Sequence, residues 1–500
     1  MPLQLVSSYL VQSLGVGAVA EGMALVVLNG TAQLIYSEQE LNAAKSLSLG
    51  PVGAPGSGYV TRAALAAPMS SESQQPGSAI AFQDTGSGVR AFLFDSPAGV
   101  LNSALLSSAG TPGAAQAVTT SIGALRGVQT FDIMGGGAGS VAVLSTWNKP
   151  GLDVFRLGSD GSLVFETSVS DTPKSYLGNI SDSASVTLAG QDYLLTLSSL
   201  ENGITSFAVG ANARPVLIDS LGTGDGLWVS GPAALQVVAV AGVTYAVIAS
   251  TGSSSLSVVR VNDMGCLFVT DQVVDDLTTR FARPEVLDTF GLQGRSFVVA
   301  AGTDAGITVM ELLPGGKLSP FYTVALETGA GLYAVTGLDV ALDGTTLDVF
   351  VVDARSDRIQ KFEMSLASLG GLIPAVAGAA VGTAKDDLIL GTGASEVLQG
   401  GAGADWLHSG GGSDTLTGGA GADVFVFDAG AGSDLITDYE LHSDRIDLAD
   451  WGNLYAVAAL TITATSTGAV LEFGGHQLVL VSAEGAALSV GSFTEADFLF

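Results

Sequence analysis

Residues 382–426 read GTAKDDLIL, GTGASEVLQ, GGAGADWLH, SGGGSDTLT and GGAGADVFV, which are five nonapeptides in unbroken succession. Each copy has an acid at its sixth position and a large apolar residue at its eighth, and glycine recurs at the first, second and fourth positions. The acids are Asp387, Glu396, Asp405, Asp414 and Asp423. A flexible linker has no reason to keep acids and apolar residues in phase over five units, so the stretch predicts an ordered repeat.

The residue types of this repeat favour calcium. Glycine lets the backbone turn sharply and expose carbonyl oxygens, and each acid adds an anionic oxygen to the same turn. Oxygen-only ligation suits Ca²⁺ better than a transition metal. Acids that are 18 residues apart are expected to stack on one side, so that several ions lie between stacked turns. Besides the five acids, the candidate ligating residues are Gly400, Gly401, Gly403, Gly410, Gly412, Gly418, Gly419 and Gly421, with Gly432 and Asp434 in a weaker sixth copy.

This block resembles the haemolysin-type (RTX) calcium-binding repeat, and the resemblance implies a parallel β-roll over residues 382–450. Lys385 and Ala394 replace turn glycines of the first two copies, and Glu396 replaces the aspartate, so these outer turns are expected to bind weakly or not at all. The run SDLITDYELHSDRIDL resembles the segment that caps such rolls. It adds Asp438, Asp444 and Asp447 as further candidate ligands.

The ending Asp497-Phe498-Leu499-Phe500 resembles the acid-plus-three-hydrophobics signal of type I secretion substrates. The N-terminus has no basic region and no apolar run ending at a cleavage site. The resemblance implies type I export from a Gram-negative bacterium to the extracellular medium. There, calcium binding would supply the free energy that folds the roll.

A second repeat, of about 52 residues, organises residues 1–366. The apolar segments that begin at Tyr193, Tyr245, Phe297 and Val349 are spaced by 52 residues each time. Each unit has about four short strands rich in β-branched residues and separated by turns, which is typical of a propeller blade. An amphipathic solenoid is the alternative, but the two-residue periodicity favours strands.

Counting these units predicts an all-β chain, with a seven-bladed β-propeller followed by the C-terminal parallel β-roll. The last unit lacks its outermost strand, which residues 3–15 are expected to supply, closing the ring. We assign residues 1–366 to the propeller, 367–381 to a linker and 382–450 to the roll. Residues 451–500 are assigned to C-terminal strands and the secretion signal.

Composition excludes several classes of protein. The net charge of −30 (18 bases and 48 acids) argues against nucleic acid, which requires basic residues at its phosphates. The lone Cys266 excludes an intrachain disulfide framework. The uncharged stretch 226–259 is broken by Pro232 and by glycines, which predicts buried strands rather than a membrane span. Seventeen acids and two bases lie in residues 381–500, which concentrates half of the net charge there.

The propeller carries no recognisable catalytic motif. All three histidines lie outside it, so it offers no Ser-His-Asp triad and no zinc cluster, and we assign no catalytic residue. Cys266 reads as a small core residue, His408 as solvent-facing, and Trp147-Asn148-Lys149 as an ordinary turn. Asp132, Asp288 and Asp339 occupy the same position of the first strand in their units and are candidates to meet in the central channel.

The sequence is compatible with two functions. The first is a non-enzymatic, secreted calcium-binding protein whose propeller recognises an extracellular glycan, protein or matrix ligand. The alternative is a secreted hydrolase or lactonase that acts in the propeller channel, similar in its sevenfold architecture to lactonase-type propellers. The lack of a catalytic motif favours the first.

Overall fold

The computed structural model describes residues 4–10, 20–28, 31–38, 43–51, 59–61, 80–85, 88–94, 101–107, 113–114, 116–118, 120–121, 125, 127–134, 140–147, 149–210, 212–276, 278–325, 334–353, 358–430 and 432–499. The predictions made for Asn148 and Phe500 therefore fall outside the described residues. Over this part of the chain the structure is all-β, as expected, and its helical segments are single 3-10 turns. These turns are Thr223–Asp225, Ala449–Trp451, Val457–Ala459, Val490–Ser492 and Glu495–Asp497. No helix in the described ranges has the length and hydropathy required to cross a bilayer.

The chain divides into two compact units. The first comprises Met1–Gly291 and Ser296–Ser365, and the second comprises Leu292–Arg295 and Leu366–Phe500.

The first unit consists of β-strands of two to nine residues. They are β1 (Gln4–Leu10), β2 (Ala20–Leu28), β3 (Thr31–Glu38), β4 (Ala43–Pro51), β5 (Tyr59–Thr61), β6 (Ile80–Asp84), β7 (Val89–Phe94), β8 (Leu101–Leu105), β9 (Gln116–Ala117), β10 (Val128–Met134), β11 (Val141–Thr146), β12 (Lys149–Leu157), β13 (Leu163–Val169), β14 (Ile180–Leu188), β15 (Gln191–Ser198), β16 (Gly203–Val209), β17 (Pro215–Leu221), β18 (Pro232–Val240), β19 (Val243–Ser250), β20 (Ser255–Val261), β21 (Leu267–Val274), β22 (Val286–Leu292), β23 (Arg295–Ala301), β24 (Gly306–Leu313), β25 (Lys317–Ala325), β26 (Val335–Asp343), β27 (Thr346–Asp353) and β28 (Arg358–Ser365).

These strands form the four-stranded sheets of a β-propeller. Six sheets use four strands that are consecutive in sequence: β2–β5, β6–β9, β10–β13, β14–β17, β18–β21 and β22–β25. The first strands of successive sheets contact each other, as β10 contacts β6 and β14, and β14 contacts β18. A further sheet is composite, because β1 pairs antiparallel with β28 beside β27 and β26. The sequence predicted seven blades, the last of them completed by the N-terminal segment, whereas six blades built from consecutive strands are observed. A seventh blade requires that the composite sheet be counted.

The core of the propeller lies between adjacent sheets. The middle strands are buried on both faces: in β19, the six residues from Tyr245 to Ser250 are all buried. The outer strands alternate instead, as in β17, where Val216 and Ile218 are exposed. Side chains from neighbouring sheets pack together, for example Leu195 and Leu197 of β15 with Ile248 of β19. β-Branched and leucine side chains suit such doubly covered strands, so burial follows directly from the sequence pattern.

The second unit is a β-solenoid with two sheets. Its strands are β29 (Leu369–Pro374), β30 (Ala379–Val381), β31 (Asp386–Leu390), β32 (Val397–Ala402), β33 (Trp406–His408), β34 (Thr415–Ala420), β35 (Val424–Val426), β36 (Ser433–Tyr439), β37 (Arg445–Asp447), β38 (Thr461–Ala464), β39 (Gly468–Phe473), β40 (His476–Ser482) and β41 (Phe498–Leu499). One sheet has the order β29-β31-β33-β35-β37-β41 and the other the order β30-β32-β34-β36-β40-β39-β38. The strands pair in parallel except in the final β38-β39-β40 meander.

The solenoid begins earlier than the sequence suggested. Residues 367–381, expected to be a linker, contain β29 and β30, which pair in parallel with β31 and β32. The alanine- and glycine-rich composition of this segment hides strands that pair through their backbones and also bury Leu369 and Ala380. The linker assignment is therefore wrong for these residues.

Candidate functional site

The nonapeptides wind so that each one makes half a coil. Ile389, Leu407 and Phe425 are in parallel register in one sheet, and Leu398 and Leu416 are in register in the other. All five of these side chains are completely buried. The apolar eighth positions thus form the solenoid core, and this places the acids two residues earlier at the turns.

The acids form two hydrogen-bonded ladders along the solenoid. On one side, the backbone N–H of Asp387 donates to Oδ1 of Asp405 (2.7 Å), that of Asp405 to Asp423 (2.9 Å), and that of Asp423 to Asp444 (3.0 Å). On the other side, Glu396 N–H donates to Oδ1 of Asp414 (2.7 Å). The stacking of acids 18 residues apart is therefore observed.

The second ladder continues through the sixth copy, where Asp414 N–H donates to Oδ1 of Asp434 (2.9 Å). The two-residue insertion lengthens this step to 20 residues and leaves Asp434 half-buried. The candidate turn glycine of this copy, Gly432, is exposed.

Three of these carboxylates have an oxygen without a donor. Oδ2 of Asp405, Asp414 and Asp423 is buried and accepts no hydrogen bond, and each of the three residues is at most 2% exposed. Burial, together with neighbouring carboxylates, raises the pKa of Asp405 to about 7 and the pKa values of Asp414 and Asp423 to about 6. A buried anionic oxygen without a donor is costly, and a cation is the partner that would offset this cost.

In two of these turns, glycine backbone lies against the orphan oxygen. A Cβ added at Gly400 would lie 2.5 Å from Asp405 Oδ2, and one at Gly418 would lie 2.3 Å from Asp423 Oδ2, so a side chain at either glycine would crowd that oxygen. The glycines with positive φ in these turns are Gly401, Gly403, Gly410, Gly412, Gly419 and Gly421. This left-handed backbone favours glycine and turns successive carbonyls away from the strand direction.

Most ligands of such an ion would be main-chain carbonyls. Among the described residues, no three His, Cys, Asp or Glu side chains converge as a metal cluster. One carboxylate per turn, combined with carbonyl oxygens of glycine-rich backbone, is a donor set that fits a hard cation such as Ca²⁺ and not zinc.

The further acids suggested from the sequence have protein partners. Asp438 accepts from the N–H groups of Gly418 (3.0 Å) and Gly419 (2.9 Å), so it fixes the fifth turn from outside. Asp444 Oδ2 accepts from Glu440 N–H (2.8 Å), and Asp447 Oδ1 accepts from Ala449 N–H (2.9 Å). Asp438 therefore holds the fifth turn, and Asp444 and Asp447 organise the segment that follows the repeats.

The remaining residues singled out in the sequence have structural partners. His408 Nε2 lies 2.8 Å from Asp428 Oδ1, and its side chain is 27% exposed. Cys266 is half-buried, and its N–H donates to the side chain of Asn262. Asp497 is buried and accepts from His442 and Thr494, while β41 pairs with β37. The residues expected to form the secretion signal therefore belong to the folded solenoid up to Leu499.

Two of the three channel candidates of the propeller contact each other, and the third, Asp132, has other partners. Asp288 Oδ2 accepts from Val340 N–H (2.9 Å) of the next blade, and its carboxyl group also hydrogen-bonds with that of Asp339. Asp132 Oδ1 accepts from the Ser185 hydroxyl (3.4 Å) of the following blade. Of these three acids, Asp132 alone lines the described cavity of about 310 Å³, which is also lined by Asp182. The expected convergence of all three is not observed at this cavity.

Asp182 is the acid that sequence reasoning missed. Its Oδ2 accepts from Leu235 N–H (2.8 Å), and burial, aided by the charge of Asp132, raises its pKa to about 7. Burial also raises the pKa of Asp132 to about 6, and Asp132 Oδ2 has no hydrogen-bond partner. Asp182 lies two residues before Ala184, which is the residue of its unit at the position shared by Asp132, Asp288 and Asp339. No feature of the sequence singled it out.

Comparison with known proteins gives a family match in the second unit and a number of similar solved structures. The family model of the RTX calcium-binding nonapeptide repeat (4 copies) matches residues 390–425, which confirms the calcium-binding repeats and Ca²⁺ as their cation. No curated protein matches the chain. Among solved structures, the WD40 β-propeller domain of Doa1 is similar at 13% identity and a TM-score of 0.46, over 72% of this chain and 96% of that one. A protein from Lactobacillus plantarum is similar at 12% identity and a TM-score of 0.41, over 62% of this chain and 87% of that one.

Proposed function

We propose that this chain is a secreted calcium-binding protein whose solenoid folds when Ca²⁺ enters its glycine turns. The observation that carries the proposal is that the Oδ2 atoms of Asp405, Asp414 and Asp423 are buried and accept no hydrogen bond. Each belongs to a ladder of carboxylates that repel one another, so these turns would be electrostatically unfavourable without a bound cation. Calcium would neutralise this charge and order the glycine-rich backbone, whose conformational entropy opposes folding.

Calcium-dependent folding is compatible with export of the chain in an unfolded state. Extracellular calcium sites bind at about 10⁻⁴–10⁻³ M, a range in which a site stays empty wherever free calcium is much lower. RTX repeats of the kind matched here are associated with type I secretion. We infer that the solenoid remains unfolded before export by a type I machinery and folds in the extracellular medium of a Gram-negative bacterium.

A calcium titration of the full chain tests this proposal. Bound calcium is counted by equilibrium dialysis, and limited proteolysis with peptide mapping follows residues 382–450. We expect saturable binding near the extracellular range and protection of this segment in calcium but not in chelator. Magnesium at the same concentration is the control, because it demands a tighter octahedral shell than the turns offer. Equal protease resistance of residues 382–450 in chelator and in calcium would refute the proposal.

For the propeller we propose an extracellular recognition module for a glycan, protein or matrix ligand, with seven blades when the composite sheet is counted. Pairing of β1 with β28 gives that sheet the four strands found in the other blades. A ring joined through its first and last segments leaves no long open edge between them. Binding of the calcium-loaded chain to a glycan array and to immobilised matrix proteins tests the role, and the absence of any ligand on either would count against it.

A second candidate function is a hydrolase or lactonase acting in the propeller. It is favoured by the 310 Å³ cavity, in which Asp132 and Asp182 both have raised pKa values, since a carboxyl group that titrates near neutrality can act as a general acid or base. A panel of lactones and esters distinguishes the two functions. Turnover that Asp132→Asn abolishes would establish the enzyme, and no turnover on the whole panel would favour recognition.

A further inference from the structure

The first two nonapeptides have turns of a different kind from the next three. In the first, Asp387 Oδ2 accepts from both the N–H (2.6 Å) and the hydroxyl (2.8 Å) of Thr383, and its Oδ1 accepts from Gly371 N–H (2.8 Å). In the second, Glu396 Oε2 accepts from Thr392 N–H (3.1 Å), and its Oε1 accepts from the Thr392 hydroxyl. Both oxygens of both buried carboxylates therefore have protein donors.

Besides the replaced fourth residues, Lys385 and Ala394, the two groups of copies differ at the second residue of each nonapeptide. Copies three to five have Gly401, Gly410 and Gly419 there, all with positive φ, and their carboxylates keep an orphan Oδ2. Thr383 and Thr392 occupy the same position without positive φ. The threonine turns thus lack both the left-handed backbone and the free carboxylate oxygen of the glycine turns.

The hydrogen bonds in the two threonine turns leave no carboxylate oxygen for a bound cation. A hydroxyl could rotate and offer its lone pairs, but a backbone N–H is only a donor. The N–H groups of Thr383 and Thr392 point at carboxylate oxygens that calcium would need, so an ion there would face the positive end of a fixed dipole. The donors already stabilise the buried charge as the ion would.

We propose that Thr383 and Thr392 take the place of calcium in the first two turns, so that Asp387 and Glu396 are metal-independent caps and the nonapeptide calcium sites begin at Asp405 and Asp414. This inference rests on the proposed calcium-binding function and narrows it. The solenoid then has an entry segment whose turns do not require the ion and can serve as a template for the calcium-dependent turns that follow.

A matched pair of isosteric variants in the full-length chain tests the inference. Glu396→Gln can keep both contacts to Thr392, because the hydroxyl can reverse its role, and it loses only the charge. Asp414→Asn, the next rung of the same ladder, keeps the acceptor for Glu396 N–H and places its amide nitrogen at the orphan oxygen. Bound calcium per chain is counted by equilibrium dialysis, and circular dichroism at saturating calcium verifies the fold.

We expect Glu396→Gln to leave the number of bound ions unchanged and the apparent Kd within about twofold. Asp414→Asn is expected to lose an ion or to weaken binding by about tenfold or more, because ligand charge tunes affinity at such sites. Loss of an ion in Glu396→Gln to the same extent as in Asp414→Asn overturns the inference. No calcium binding by the unmodified chain, or no effect of Asp414→Asn, overturns the proposed function instead, and the inference with it.

A second variant keeps the test decisive if Glu396→Gln does not fold. Thr392 is exposed, so Thr392→Val removes the hydroxyl at little steric cost. We expect an unchanged ion count together with faster proteolysis in residues 391–399. A reduced ion count would make the hydroxyl a calcium ligand and contradict the inference.

Discussion

The carboxyl group of Asp132 lies in the propeller at a position where burial disfavours its ionised form. Its Oδ1 accepts from Ser185, its Oδ2 has no partner, and Asp182 across the same cavity is also acidic. Burial raises its pKa from 3.8 to about 6, so the folded chain binds this proton more tightly than the unfolded chain does. Between these two values, ionisation of the unfolded chain lowers the free energy of unfolding as pH rises.

Asp132→Asn should therefore stabilise the propeller at pH 8 and have little effect at pH 4. The amide keeps the acceptor for Ser185 and removes the buried charge. The pKa difference corresponds to at most roughly 3 kcal/mol, and partial solvent contact of the side chain reduces this. Urea unfolding at both pH values, read by hydrogen exchange in β10, measures the change. A variant less stable than the unmodified chain at pH 8 would mean that ionised Asp132 is paired with a bound cation.

At the scale of elements, aspartates at β-bulges join one blade to the next. Asp219 of β17 and Asp271 of β21 each accept the N–H of the following residue on Oδ1. On Oδ2 they accept from the next blade: Asp219 from Leu267 N–H (2.9 Å) and Asp271 from Leu318 N–H (2.7 Å). The bulge rotates each carboxylate toward a backbone donor that begins the neighbouring outer strand.

Removing either bridge should weaken the propeller. Asp219→Ala and Asp271→Ala each leave two backbone N–H groups without their carboxylate acceptor, which we expect to cost on the order of 1–3 kcal/mol. Because the two bridges lie in successive blade pairs, the double variant should be close to additive. Asp263→Ala, in an exposed turn of the same region, is the matched control. Denaturant unfolding provides the measurement, and a double variant as stable as the control would show that the bridges contribute nothing.

The sequence predicted periodic elements better than it predicted contacts between them. The nine-residue phase located the solenoid turns and their core, because apolar residues of fixed phase must share one face. The 52-residue phase located the strands of the propeller. Strands β29 and β30 were missed because they precede the nonapeptides and lack their nine-residue pattern of acids and apolar residues. Asp182 and the threonine turns were missed because burial and individual hydrogen bonds decide their roles, and neither leaves a periodic signal in the sequence.

At the scale of the whole molecule, the two units differ in how densely they carry acidic residues and in whether their stability depends on neutralising them. Residues 381–500 contain 17 acids and two bases, and several of these acids are buried in stacked ladders. The propeller carries a similar net charge over three times the length, and its core packs between sheets with no dependence on those ladders. Calcium should therefore control the stability of one unit and not that of the other.

Calorimetry of the full chain should show this division directly. With calcium at about 100 times Kd, each occupied site adds about 2.7 kcal/mol to the free energy of unfolding of the solenoid. A chelator removes this contribution and leaves the repulsion between carboxylates. We expect two transitions in calcium and one in chelator, with the propeller transition unchanged between them. Asp405→Asn combined with Asp423→Asn should lower only the calcium-dependent transition, and the propeller variant Asp219→Ala only the other. A chelator that shifts both transitions equally would show that calcium stabilises the chain as one cooperative body.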